Sequence, residues 1–335
     1  MSKQSCISLI QTRGRVPRER IWGRSRDLRE LRSIPDSSGI RFHGLLETGK
    51  SSLAEAHLPP GSLVVDFAEV SLAEGLDQLA STAPSCAIVL DHLHQRLNLE
   101  AGSELETTRE QMDQLEAELA RRGQTRRIVC SSVPLDLHLR DHGLVRQLDG
   151  FTQYRVEPWK PAVARQFLDH VAESNGLCLD ERASRVAVEQ IGCCIPMHIQ
   201  LLCQHLLAHR GDDWTRRTEA DVLHVLETEL TRDDRAFAVL MARLRTKVGE
   251  PGWALAQALL AHAARGPLTA EDIARLTEHA GEDVLERRQL RGEVLSALRG
   301  AEVLCRDADQ FRLFSPLFAA WLAQSGRALS VDRAR

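Results

Sequence analysis

Along the first half of the chain, short apolar runs alternate with stretches whose apolar residues recur every three or four positions, the periods of buried strands and amphipathic helices. "SRDLRELRSI" predicts a helix from Ser25 to Ile34, which Pro35, Asp36, Ser37, Ser38 and Gly39 break. "GIRFHG" then predicts a buried strand, Lys50 to Ala56 a helix, "SLVVDF" (62–67) a strand, Ser71 to Leu79 a helix and "CAIVLD" (86–91) a strand. A polar helix is expected from Ser103 to Arg122, with Leu105, Met112, Leu115 and Leu119 on one stripe. "RRIVCSS" (126–132) and "FTQYRVEPW" supply two more strands. Repeated alternation of this kind implies an α/β fold, a parallel sheet with helices on both faces.

After Pro158 and Pro161 only the helical period remains, at 162–174, 181–191 and 196–209. The last third predicts helices at 233–248, 251–264, 269–276 and 284–298, with Thr269 and Asp272 as a near capping box. Two short apolar strands, "EVLCR" and "FRLFS", follow around Asp307 to Gln310. Three helices and a hairpin make a winged helix. The chain therefore divides into a basic arm (1–20), an α/β core (21–157), a helical lid (158–228) and a mostly helical winged-helix domain (229–335).

Composition narrows the partners. With 335 residues, 43% of them hydrophobic and 27% charged, the chain suits two or three compact globular units. A net charge of -4 argues against coating nucleic acid by bulk electrostatics, so any such contact is a local patch. Four of the 43 basic residues are lysines (Lys3, Lys50, Lys160, Lys247); the 39 arginines fit a GC-rich coding bias. The eight cysteines, Cys6, Cys86, Cys130, Cys178, Cys193, Cys194, Cys203 and Cys305, include no C-x-x-C pair and read as reduced core residues of a cytoplasmic protein. No run reaches the roughly 18 apolar residues of a membrane span. Among Cys193, Cys194, His198, Cys203 and His205 no ligand pair has zinc spacing, and buried apolar roles are the simpler reading.

The chemistry begins at Gly44. "GLLETGKS" (44–51) satisfies the phosphate-loop pattern G-x-x-x-x-G-K-[ST], after an apolar strand and at the start of a helix. Backbone amides of Gly44, Glu47, Thr48, Gly49 and Ser52 are expected around the phosphates of ATP or ADP, with Lys50 on the terminal phosphates and Ser51 on Mg2+. Lysine at that place, in so arginine-rich a chain, fits a need for a compact ammonium. Asp91, ending "CAIVLD", is the Walker B acid expected to hold the metal, the alternative being a helix-capping Asp. The next position commonly carries a water-polarising Glu; here it is His92, with His94 close behind. An imidazole accepts a proton but supplies no fixed negative charge, so turnover is expected to be slow or conditional, or the site to bind without hydrolysing. Ser131 and Ser132 end the next strand, where Ser132 can report the terminal phosphate; Arg140 and Arg146 read either as trans-acting arginine fingers or as surface residues. Arg287, Arg288, Arg291 and Arg299 sit on the candidate recognition helix, which fits double-stranded DNA or a protein partner.

"IWGRSRDLREL", "GLLETGKSS", "CAIVLD", "RRIVCSS", "IGCCIPMHIQLL" and "FRLFSPLFAAWL" together resemble the archaeal-type ATPases of the AAA+/STAND group, related in layout to origin-recognition ATPases. The resemblance spans about 21–323 and implies an AAA+ core, a lid, a winged helix, and self-assembly or recruitment of partners. It also implies that Gly23 and Arg24 lie near the nucleotide base and that the lid proline, Pro196, packs on the nucleotide. The chain departs from the group in having Cys193 and Cys194 where the lid carries two glycines.

Overall fold

The computed structural model describes residues 15–96, 103–131, 150–209, 216–278 and 284–331. One compact unit spans Arg13–Glu157 and a second takes in Pro158–Arg335.

In the first unit a five-stranded sheet has the order β2-β3-β4-β1-β5, from β1 (Ile40–His43), β2 (Leu63–Asp66), β3 (Ile88–Asp91), β4 (Arg127–Cys130) and β5 (Thr152–Arg155). Every neighbouring pair is parallel. The central strands are apolar on both sides because helices cover both faces. On one face β2, β3 and β4 contribute Val65, Ile88, Leu90 and Val129 to a core with α3 (Leu72–Ser81) and α4 (Ser103–Arg121). On the other, Ile40, Phe42, Val89 and Ile128 pack with α1 (Ser25–Arg32) and α2 (Lys50–His57). Met112, Leu115 and Leu119 of the expected stripe are buried, while the side chain of Leu105 lies outside the described residues.

Several helix ends and loops are closed by arginine. Arg122, 1% exposed, donates to the carbonyls of Leu79, Thr82 and Ala83 at the end of α3. Arg126 caps Ile34 and Pro35 after α1, and Arg127 donates to Leu119 and Ser37. A planar guanidinium offers donors in a fixed fork, which suits a cluster of orphan carbonyls at a helix terminus. Burial of such a cation is tolerated because its terminal N–H groups meet acceptors, although Arg122 Nε and Arg127 Nε are buried without one.

The second unit contains α5 (Pro161–Ser174), α6 (Glu181–Ile191), α7 (Pro196–Ala208), α8 (Glu219–Thr228), α9 (Ala238–Ala263), α10 (Ala270–Thr277), α11 (Val284–Gly300) and α12 (Pro316–Val331). Two-residue strands β6 (Cys178–Leu179) and β7 (Arg216–Arg217) pair in parallel. The helices anticipated at 233–248 and 251–264 are both present, the first from Ala238, and are grouped together as α9; they are separated by a kink where Gly249 takes non-helical φ 66° and ψ 177°. Proline two residues later tolerates the start of a helical segment but not its interior, so the kink falls before it. The Thr269 capping box is formed in full. After α11, β8 (Leu304–Asp307) and β9 (Gln310–Leu313) form an antiparallel hairpin, and Leu268 bridges Phe311 beside it.

Two separated segments, "IGCCIP" and "FSPLF", meet here. The Ser315 hydroxyl donates to the Ile191 carbonyl at 2.7 Å. Gly192 takes φ 69°, and a Cβ there would stand 2.3 Å from Pro316 Cδ, so both backbone conformation and space require glycine. Phe237 anchors an aromatic cluster with His198, Phe318 and Trp321, its ring centroid 4.7, 4.9 and 5.5 Å from theirs.

His198 is fully buried, and burial drives its imidazole down to about 4 despite the Ala236 carbonyl at 3.1 Å from Nε2. The unfolded chain takes up a proton at this residue below about pH 6.5, which the native state refuses until about pH 4. Stability is therefore expected to fall with pH across that window, by roughly 3 kcal/mol from this group. Denaturant titrations of His198→Phe at pH 7 and pH 4.5 should show a clearly weaker acid loss than wild type; equal loss in both chains would remove His198 as its source.

Candidate functional site

The site builds from the C-terminal edge of the sheet, where an open parallel sheet presents its loops. β1 ends at His43, and the loop 44–49 turns the chain into α2. Gly44 has φ 136°, and a Cβ on it would lie 2.5 Å from the Val156 carbonyl oxygen, so only glycine lets β1 leave the sheet there. Glu47 and Gly49 have left-handed φ values of 64° and 86°, the latter as the N-cap of α2. Thr48 is buried, its hydroxyl donating to Leu45 O at 3.0 Å. Lys50 Nζ donates to the carbonyls of Gly44 at 3.0 Å and Leu45 at 2.6 Å, so the ammonium is held inside the loop it would serve. Burial first, then the charges of Arg155 and Lys50, keep the neighbouring His43 imidazole below its ordinary value.

Arg24 braces this loop from beneath. It is 6% exposed and donates to the carbonyls of Thr48 at 2.5 Å and Glu157 at 2.8 Å, with Asp27 at 3.3 Å. Burial lowers its pKa against the opposing pull of Asp27. The guanidinium is thus committed to protein carbonyls. Gly23 beside it has φ 70° and is exposed.

Asp91 ends β3 with 2% exposure, in register with Asp66 at the end of β2. His92 follows with φ 56°, its Nδ1 2.8 Å from Asp66 Oδ1 and 3.6 Å from Asp91 Oδ1. Arg15 lies 3.0 Å from Asp66 and 3.3 Å from Asp91. The adjacent amide of Val16 donates to the Ser52 hydroxyl at 2.9 Å, so the end of the basic arm is held against the core. Burial works to raise the Asp66 carboxyl, but hydrogen bonds from His92 and the Ala68 amide outweigh it and hold the group below the usual carboxylate value. Asp66, Asp91 and His92 can present one ligand atom each within 4.8 Å of one another.

Of the residues anticipated from sequence, the loop residues Gly44, Glu47, Thr48, Gly49, Lys50, Ser51 and Ser52 form one turn and the start of α2. Asp91 and His92 stand two strands away, across β4. The Ser131 amide donates to Phe42 O at 2.9 Å, tying the end of β4 to β1. Ser132, Arg140 and Arg146 lie outside the described residues, as does the side chain of His94. Pro196 opens α7 in the second unit. Asp66 and Arg15 were not anticipated. The signal for Asp66 was present, since "LVVD" and "IVLD" are twin apolar runs that both end in aspartate. Nothing separated Arg15 from its arginine neighbours.

No protein-family model matches the chain, and no characterised protein matches it by sequence. Its fold is shared with solved structures. The Walker-type ATPase PABY2304 of Pyrococcus abyssi aligns over 94% of this chain and 99% of its own, with a TM-score of 0.69 at 16% identity. The ORC2 protein of Aeropyrum pernix, solved in ADPNP-ADP complexes, aligns over 96% and 98%, with a TM-score of 0.57 at 12% identity. The fold is an α/β P-loop NTPase-like fold, shared with these two structures.

Proposed function

We propose that the chain binds ATP with Mg2+ at the 44–52 loop and acts as a nucleotide-dependent switch for self-assembly or for recruiting a DNA or protein partner. The observation that carries this reading is the loop itself, a complete phosphate-loop motif placed between β1 and α2 with Asp91 at the end of β3. Lys50 Nζ exchanges the carbonyls of Gly44 and Leu45 for phosphate oxygens, and the amides of the loop and first helical turn surround the anion.

The residues fit a divalent cation: Asp66 and Asp91 already hold a cationic group, the Arg15 guanidinium, between them. Asp91 and Ser51 would hold Mg2+, which neutralises developing charge on the phosphates when bound. His92 is the residue placed to orient water, and its ring is bonded to Asp66. That bond also favours a second reading, a non-hydrolysing adaptor that keeps nucleotide as a structural ligand. A winged-helix role for α9–α11 and the β8–β9 hairpin is supported by their order and by the Leu268–Phe311 bridge; Arg287, Arg288 and Arg291 are its proposed contact to DNA.

The test is steady-state ATP turnover by the full chain over a range of protein and Mg2+ concentrations. A switch that assembles should show slow turnover whose specific activity rises with protein concentration. Tight binding with no turnover at any concentration supports the adaptor, and no binding removes both. Because Arg15 competes for the same carboxylates, Arg15→Ala should lower the Mg2+ needed for half-maximal nucleotide binding, by about fivefold to tenfold for an ion pair of roughly 1 kcal/mol.

A further inference from the structure

A second cluster of ligating side chains lies within the second unit, where α7, α8 and the turn after α8 come together. His209 follows α7, His224 lies on α8 and Glu229 ends it. One ligand atom from each of these three lies within 4.8 Å of the others. Glu229 Oε1 is 3.4 Å from His209 Nδ1, and the rings of His209 and His224 are 5.3 Å apart.

The surroundings prepare these groups. His209 is anchored by its backbone, its amide bonding to His205 O at 2.8 Å and its carbonyl accepting from Arg217 at 2.6 Å. Its Nε2 faces Asp221 Oδ1 at 3.7 Å, leaving Nδ1 toward Glu229. The other oxygen of Glu229 is held by His205 Nδ1 at 3.2 Å, and His205 Nε2 reaches Asp233 at 2.9 Å. A carboxylate behind a ligating histidine and a fixed ligating carboxylate are the outer contacts that orient metal ligands.

We propose that His209, His224 and Glu229 form a site for a divalent transition cation of the Zn2+ class. Two imidazoles with one carboxylate suit such an ion, whereas Mg2+ and Ca2+ take oxygen ligands. Tetrahedral bonds of about 2.0–2.1 Å place neighbouring donors roughly 3.3 Å apart, close to the 3.4 Å between His209 and Glu229. His224 is exposed, so its side chain can close the third position while the fourth stays open to water. The bound ion ties the end of α7 to the end of α8. His205 acts as a positioning residue through Glu229. This site is independent of the nucleotide reading.

The test uses the full chain, stripped with chelator and titrated with Zn2+ and, separately, Co2+ in excess Mg2+. One equivalent of Zn2+ per chain, a higher melting temperature and a tetrahedral Co2+ spectrum without thiolate charge-transfer bands are expected. His224→Ala and Glu229→Gln should each weaken binding at least tenfold, His205→Ala less, and Asp91→Asn not at all. His224 is exposed, so His224→Ala is expected to retain wild-type circular dichroism. No stoichiometric uptake, thiolate bands, or unchanged affinity in His224→Ala would each overturn the site.

Discussion

Lys50→Ala is expected to weaken ATP binding by two to three orders of magnitude, read by calorimetry or a fluorescent nucleotide. The ammonium is 8% exposed and already directed into the loop, bonded to Gly44 O and Leu45 O. Charge-assisted hydrogen bonds contribute about 1.5–3 kcal/mol each, and losing two on the phosphates gives roughly that factor in affinity. The fold should also lose about 1–3 kcal/mol, since the Gly44 and Leu45 carbonyls released are buried. Lys50→Arg is not expected to rescue binding, because a planar fork cannot replace a compact ammonium inside the turn. Unchanged affinity in Lys50→Ala would remove the 44–52 loop as the nucleotide site.

Arg24→Ala is expected to cost about 3–4 kcal/mol of stability in chemical denaturation, because it strands the buried Thr48 carbonyl, the part-buried Glu157 carbonyl and a carboxylate partner. The Thr48 carbonyl it holds immediately precedes Gly49, so nucleotide affinity should fall together with stability. Arg24→Lys should recover only part of either, since one ammonium cannot span Thr48 O and Glu157 O as the fork does. A residue that served only the nucleotide base would behave differently, losing affinity with the denaturation midpoint unchanged. The two outcomes separate a brace from a base contact.

The α/β core was legible because both of its signals are local. Apolar runs mark β1 to β4, and the phosphate loop is contiguous from Gly44 to Ser51. Asp91 followed from the end of its own strand. Asp66 did not, since its importance depends on the register of β2 against β3, a long-range pairing. The break between the two helical segments of α9 was legible too, because Gly249 and the proline after it end the period locally. His205 and His209 are four residues apart, a spacing that reads as a ligand pair on one helical face. Glu229 and His224 come beside His209 only through the fold. Charge led reasoning astray most at arginine: Arg24, Arg122, Arg126 and Arg217 are each no more than 7% exposed, although arginine is ordinarily a surface residue.

Among the described residues, those buried arginines stand apart from the exposed ones, with different histories open to each. On the surface, an arginine supplied by codon bias can return to lysine with little consequence. At Arg122, which closes three carbonyls, or Arg217, which reaches Leu206 O and His209 O, the same single change would leave acceptors unmet in the interior. A base composition that first admitted arginine by chance is thereby made hard to reverse at these positions. A lineage drifting back toward lysine codons would shed its exposed arginines and keep the ones that hold helix ends.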